Sequence, residues 1–242
     1  MKINISIEAR MTSSRLPGKV LMPICNIKAL ELMYKRIKNN KYSNDIIIAT
    51  TTNKEDDEII NWCKENNISF FRGSEKNVYQ RVLNTHKHYK SDIIIELTGD
   101  CPLLDPKLID EAVEVYLNNN YQYVSNSLEM TYPIGMAVQV YSLNTLESIS
   151  KNRELEYQDM EHVTPYLYTS GKYKIFNIKA PKELTMPDLS VTLDTKEDFI
   201  VIENVCKHFN NINFSLLDII NFAKSNPKKV SLNQNIHRKG LE

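Results

Sequence analysis

Apolar residues in the first hundred positions arrive as short continuous runs separated by longer stretches of mixed character. Residues 3–7 form the first run, and after a polar loop Leu30, Met33, Tyr34 and Ile37 recur at helical spacing. Residues 45–50 read as a strand buried on both faces, residues 55–66 as an acid-led helix and residues 68–71 as a third short strand. A helix over 75–88 then leads into the isoleucine run of 92–96. Continuous β-branched runs alternating with helices predict a mostly parallel sheet joined by right-handed crossovers. The expected fold class is therefore α/β, a Rossmann-like doubly wound core. Asp105-Pro106 opens a further helix, with Asp as cap, Pro in its first turn and Leu108, Ile109, Ala112, Val113 and Tyr116 on its inner face. Beyond it the pattern predicts strands at 121–125 and 134–141, one polar helix near 151–170, and strands at 174–178 and 191–193. A helix starting within 194–198 and an amphipathic helix at 216–224 follow, and the last dozen residues read as a loose tail.

Charge and cysteine usage narrow the classes. Thirty basic residues balance thirty acidic ones, a formal net charge of zero. Nucleic-acid and membrane-surface binders usually carry a basic excess, so neither partner is expected, and any anion must be held locally. No run approaches the roughly 18 apolar residues of a membrane helix. MKINISIEAR has no signal-peptide hydrophobic region. Cys25, Cys63, Cys101 and Cys206 form no CxxC pair, which predicts free thiols in a reducing cytoplasm. His86 and His88, two positions apart on a predicted helix, point to different sides and read as solvent-facing rather than as a ligand pair.

In an open parallel sheet, ligands collect at the carboxyl ends of the strands near the point where strand order reverses. Three segments fall on that edge. The loop after the first strand carries Arg10, Arg15 and Lys19 with Ser13, Ser14 and a Pro17-Gly18 turn, a concentration of donors suited to phosphate oxygens. It is not a P-loop, because Val20 follows Gly18-Lys19 and the earlier glycine is missing. After the isoleucine strand, Gly99 permits a tight turn and Asp100 stands at the strand tip, where a carboxylate suits magnesium; Asp105 reads as a helix cap only. The third segment places Asp194 before a capping-box pair, Thr195 and Asp198. Two strand-tip acids beside a cationic loop point to a metal–triphosphate site.

Ala9-Arg10, Ser14-Arg15-Leu16-Pro17-Gly18-Lys19, the run from Gly99 to Pro106 and Leu193-Asp194-Thr195-Lys196-Glu197-Asp198 together resemble the motifs of the cytidylyltransferase superfamily. That superfamily includes the enzymes making CMP-Kdo and CMP-sialic acids, and the resemblance is closest to its spore coat polysaccharide (SpsF-like) branch. Residues 50–57, 71–75, 132–135 and 161–165 also fit that branch, so the likeness spans nearly the whole chain in order. It implies a single 1–242 domain: a nucleotide-binding half over 1–125, an acceptor and dimerisation excursion near 126–175, and a C-terminal part returning a metal-binding Asp. It implies magnesium-dependent transfer of CMP from CTP to a sugar acid or sugar phosphate, with release of pyrophosphate, for surface glycan or polysaccharide synthesis. Ala9, Arg10, Ser14, Arg15, Lys19, Thr50, Arg72 and Asp100 would contact the nucleotide, with Lys19, Arg10 and Asp100 catalytic. Asp100 and Asp194 would hold Mg2+, and Tyr132, Gly135, Gln139, Glu161 and His162 would line an acceptor pocket in a homodimer. Lys196 stands where relatives often carry Pro, and Ala137 and Gln139 lie where many carry acids; these differences bear on the acceptor. Competing expectations are a sugar-nucleotide glycosyltransferase, whose common Asp-x-Asp motif is absent, and a non-catalytic nucleotide-binding module.

Overall fold

The computed structural model describes residues 1–238, the side chain of Asn152 excepted. Four strands run parallel: β1 (Ile3–Glu8) pairs on one side with the strand Asp45–Thr51 and on the other with Ile93–Thr98, while Ser69–Gly73 flanks Asp45–Thr51. Between them lie a small hairpin, β2 (Pro23–Ile24) and β3 (Ile27–Lys28), and helix α1 (Ala29–Ile37), so the parallel strands become β4 (Asp45–Thr51), β5 (Ser69–Gly73) and β6 (Ile93–Thr98). Helices α2 (Asp57–Glu65), α3 (Val78–His88) and α4 (Pro106–Asn118) follow β4, β5 and β6 in turn. Ile5, Ile7, Ile47, Ile48, Ile94 and Ile95 are all fully buried, which is why these strands carry continuous rather than alternating apolar runs.

The second half adds an antiparallel pair and a parallel edge. β8 (Gln139–Ser142) pairs antiparallel with β6 and with β7 (Tyr123–Ser125), and β9 (Ile175–Asn177) closes the edge parallel to β7. The seven-stranded order is β5-β4-β1-β6-β8-β7-β9. Strand order reverses between β1 and β6, so the loops after Glu8 and Thr98 leave the same edge side by side. Gly99 makes that possible, since its N–H donates to the Glu8 carbonyl at 2.9 Å and a Cβ there would stand only 2.9 Å from the same oxygen.

Several expectations are corrected. The predicted helix over 151–170 is broken: α5 (Leu143–Asn152), missed in the sequence, precedes α6 (Tyr157–His162) and α7 (Pro165–Thr169). The break follows from Pro165, which cannot donate to a preceding turn, and from Val163, whose φ of 67° stops α6. Of residues 134–141 only 139–141 belong to a strand, and 191–193 form none; Ile134 and Ser190 make an isolated bridge instead. After α8 (Lys196–Phe209) and α9 (Leu216–Ser225) comes a short α10 (Pro227–Val230), and the supposed loose tail packs back at least through Arg238; residues 239–242 of that expectation lie outside the described residues. His86 is buried, its Nδ1 2.8 Å from Ser91 Oγ, and burial pushes the ring down to about 3, whereas His88 is exposed as expected. The four cysteines are free, and all but Cys25 are buried. No helix among the described residues is long and apolar enough to cross a membrane.

Candidate functional site

A cleft of about 1460 Å³ opens along the carboxyl edge of β1 and β6 and extends under α6 and α7. Its first wall is the loop after β1. Leu16 and Val20 are buried and anchor that loop, while Gly18 N–H closes it onto the Met11 carbonyl at 2.8 Å. Around those anchors the polar side chains Arg10, Ser14, Arg15 and Lys19 all line the cleft. Asp100 follows Gly99 from β6. Asp194 arrives from the far side on a segment sewn to the Asp100 turn, with Leu193 N–H donating to the Asp100 carbonyl at 2.7 Å and Thr192 Oγ1 at 3.2 Å.

The sequence separation of 175 residues between Lys19 and Asp194 collapses to a single contact. Lys19 Nζ lies 2.9 Å from Asp100 Oδ2 and 2.6 Å from Asp194 Oδ1, and Arg15 reaches Asp194 Oδ2 at 3.1 Å. Burial alone would lower the Lys19 ammonium; the two carboxylates outweigh it and hold it above its ordinary value. Burial likewise would raise Asp100, but the charge and hydrogen bond of Lys19 keep it below the ordinary carboxylate range. Two carboxylates thus converge on one small cation. Among the described residues no cluster of three or more His, Cys, Asp or Glu could hold a metal by itself. A pair of hard oxygen ligands fits magnesium, which characteristically completes its shell with water and substrate phosphates.

The opposite wall has different chemistry. Glu8, Glu96, Tyr123, Gln139, Thr164 and Tyr168 line it. Gln139 Oε1 accepts from Tyr123 Oη and Thr164 Oγ1, each at 2.6 Å, so the amide has donors left for an incoming group. Glu161 is exposed and His162 half-buried on the cleft side of α6. Glu96 is 3% exposed and accepts from Tyr141 Oη; burial pushes its carboxyl up to about 8, and the tyrosine only partly offsets this. Because this acid binds its proton more tightly folded than unfolded, its contribution to stability is present below about pH 4.5 and is lost as pH rises towards 8. Glu96→Gln is therefore expected to gain stability relative to wild type as urea denaturation is moved from pH 5 to pH 8; a gap that stays constant would show that Glu96 ionises normally.

Four predicted site residues lie outside the cleft. Thr50 is fully buried within β4. Arg72 is occupied in tying β4 to α2, donating to the Thr51 and Asn53 carbonyls at 2.8 and 2.7 Å and pairing with Asp57 at 2.7 Å. Tyr132 is buried, with its hydroxyl 3.5 Å from Glu111 Oε2. Gly135 adopts φ 100°, where a Cβ would meet Thr192 N and Val191 C at 2.8 Å. Gly135 therefore packs against the segment that carries Asp194, and Tyr132 turns its hydroxyl towards Glu111 on α4. Sequence reasoning missed Glu8, Tyr123, Thr164 and Arg81, because single polar residues within or between apolar elements give no periodic signal. It also missed Glu75, which accepts from Thr12 and Asn53 at 2.6 Å and from Arg10 at 3.4 Å.

The chain is similar to known proteins along nearly its whole length. The profile of the family described as cytidylyltransferase matches residues 5–221. The uncharacterized protein MJ1063 of Methanocaldococcus jannaschii is 39% identical over 99% of this chain and 97% of its own length. The spore coat polysaccharide biosynthesis protein SpsF of Bacillus subtilis is 34% identical over 80% of this chain and 81% of its own. A solved cytidylyltransferase from Leptospira borgpetersenii superposes with a TM-score of 0.89 at 34% identity, covering 99% of this chain and all of that one.

Proposed function

The chain belongs to the cytidylyltransferase family, and from that premise we propose that it transfers CMP from CTP to a hydroxyl of a sugar-type acceptor in a polysaccharide pathway. The observation that carries this reading is the convergence of Lys19 on Asp100 and Asp194 at the strand-order reversal, beside Arg10 and Arg15. Arg15 and Lys19 bind the triphosphate oxygens, and Arg10 does so from the rim of the same loop. The acceptor lies against Gln139, Glu161 and His162, so that its oxygen approaches the α-phosphorus from the opposite wall. The new bond joins that oxygen to the α-phosphorus, the bond to the β-phosphate oxygen breaks, pyrophosphate leaves with the electron pair, and the hydroxyl proton passes to water in the open cleft. No side chain acts as a nucleophile. What the protein supplies is orientation and fixed positive charge where negative charge builds up. Asp100 and Asp194 are the residues that would hold Mg2+, which when bound neutralises phosphate charge.

The test is pyrophosphate release from each of the four ribonucleoside triphosphates with a panel of sugar acids and sugar phosphates. Release is expected from CTP alone and only with an acceptor present. Turnover of a sugar nucleotide would point to glycosyl transfer, and silence with every triphosphate would point to a binding module.

A further inference from the structure

The chain beyond α10 lies outside residues 5–221, the part matched by the family profile, yet it returns to the cationic end of the cleft. Asn233, 3% exposed, donates through Nδ2 to the Ser190 carbonyl at 3.1 Å and to Asp198 Oδ1 at 2.7 Å. Arg238 places a two-pronged fork on the same carboxylate, at 2.8 Å to Oδ2 and 2.6 Å to Oδ1, and its Nη1 stands 3.9 Å from Asp194 Oδ2. Arg15 donates to the His237 carbonyl at 3.3 Å, so the loop after β1 touches this segment as well.

Asp198 is fully buried, and its Oδ2 also accepts the backbone N–H groups of Asp194 at 3.0 Å and Thr195 at 2.9 Å. One carboxylate therefore connects the C-terminal segment to the backbone of Asp194. A helix cap does not require this. On α9 the same box is built from Ser215 and Asp218 at the surface, and Asp218 takes its hydrogen bonds from Ser215 alone. On α8 the capping acid is buried and compensated by a guanidinium drawn from 40 residues downstream. Burial alone would raise the Asp198 carboxyl; Arg238 and Asn233 outweigh it and hold it low.

We propose that residues 231–238 form a clamp that fixes the Asp194 turn for its cation and triphosphate, with Arg238 as a positioning residue acting through Asp198. The clamp rests on the cytidylyl-transfer reading above. It also brings a further positive charge to the end of the cleft that holds Arg10, Arg15 and Lys19.

The test compares full-length wild type with Arg238→Ala, Arg238→Lys and Asn233→Ala. CTP binding is followed by calorimetry across a Mg2+ titration, and melting temperature is measured without ligand. Partners that orient a metal ligand typically affect metal affinity by 10–100-fold, so the Mg2+ midpoint for CTP binding in Arg238→Ala is expected to rise by about that factor. Arg238→Lys should recover only part of it, because it keeps the charge without the fork. A lower melting temperature with an unchanged Mg2+ midpoint would reduce the segment to a structural tether and overturn the proposal. Should Arg238→Ala not fold, Arg238→Lys and Asn233→Ala decide the matter in the same way, since wild-type midpoints in both also overturn it. Wild-type protein that binds no CTP at all would instead remove the reading on which the clamp rests.

Discussion

Asp194→Asn and Asp100→Asn are each expected to lower pyrophosphate release by about 10²–10³-fold, the scale seen when one preorganised stabiliser of the transition state is lost. The substitutions are close to isosteric, and neither side chain supports the core. Asp194 is tied in place through its backbone N–H to Asp198, and Asp100 through its carbonyl, which accepts from Leu193 and Thr192. The carboxylate oxygens instead face Lys19 and Arg15. At 194, where both oxygens face cations, an amide would turn a donor towards an ammonium or guanidinium, and at either position it would forfeit the charge that attracts a divalent cation. The loss should therefore appear in turnover at saturating CTP and persist across a Mg2+ titration, while thermal unfolding changes little. Wild-type turnover in either variant would demote that residue to a turn former.

The parallel half of the sheet was legible because buried β-branched runs have a distinctive pattern, and β1, β4 and β6 fell within a residue or two of where the pattern put them. The cationic loop and the two acids were legible because strand ends can be located from such runs, and strand ends are where parallel sheets bind ligands. Most of the region from 126 to 193 was not, although the strand expected at 174–178 is β9. The region's chain direction depends on Val163 at φ 67° and on Gly135 at φ 100°, and beside the short ladders of β8 and β9 it relies on isolated bridges and backbone-to-side-chain bonds that leave no periodicity. Ile134 and Ser190, for example, make one bridge that fixes the Asp194 segment, 56 residues apart in sequence. Tyr132 illustrates the limit of motif matching. Its neighbourhood fits the family pattern, yet its ring is buried outside the cleft with its hydroxyl turned towards Glu111 on α4. The C-terminal clamp was hidden for another reason: a polar segment held by ion pairs looks like a solvated tail unless its partners are known. Asp198 and Arg238 are each unremarkable in sequence, and only their contact gives them meaning.

Lys19→Ala and Arg15→Ala are expected to weaken CTP binding while leaving cytidine binding nearly unchanged. Each removes a donor to the triphosphate, and a hydrogen bond to a charged group contributes ~1.5–3 kcal/mol, or about 10–150-fold in affinity. Lys19 should give the larger loss. It is 8% exposed, so water cannot easily replace it, and its removal leaves Asp100 and Asp194 facing one another and repelling an incoming anion. That repulsion also sets the ion dependence of the variant. Without the ammonium, the two carboxylates need a divalent cation before a triphosphate can approach, so CTP binding by Lys19→Ala should depend more steeply on Mg2+ than wild-type binding does. The pair of carboxylates holds the lysine above its ordinary range, so the difference between variant and wild type should not shrink between pH 7 and pH 8. Arg15, more exposed and sharing Asp194 with Lys19, should lose less and keep the wild-type Mg2+ profile. The measurement is calorimetric titration of CTP and of cytidine into each variant at several Mg2+ concentrations. Equal losses for the nucleotide and the nucleoside would show that this loop reads something other than phosphate, and would move the triphosphate to another part of the cleft.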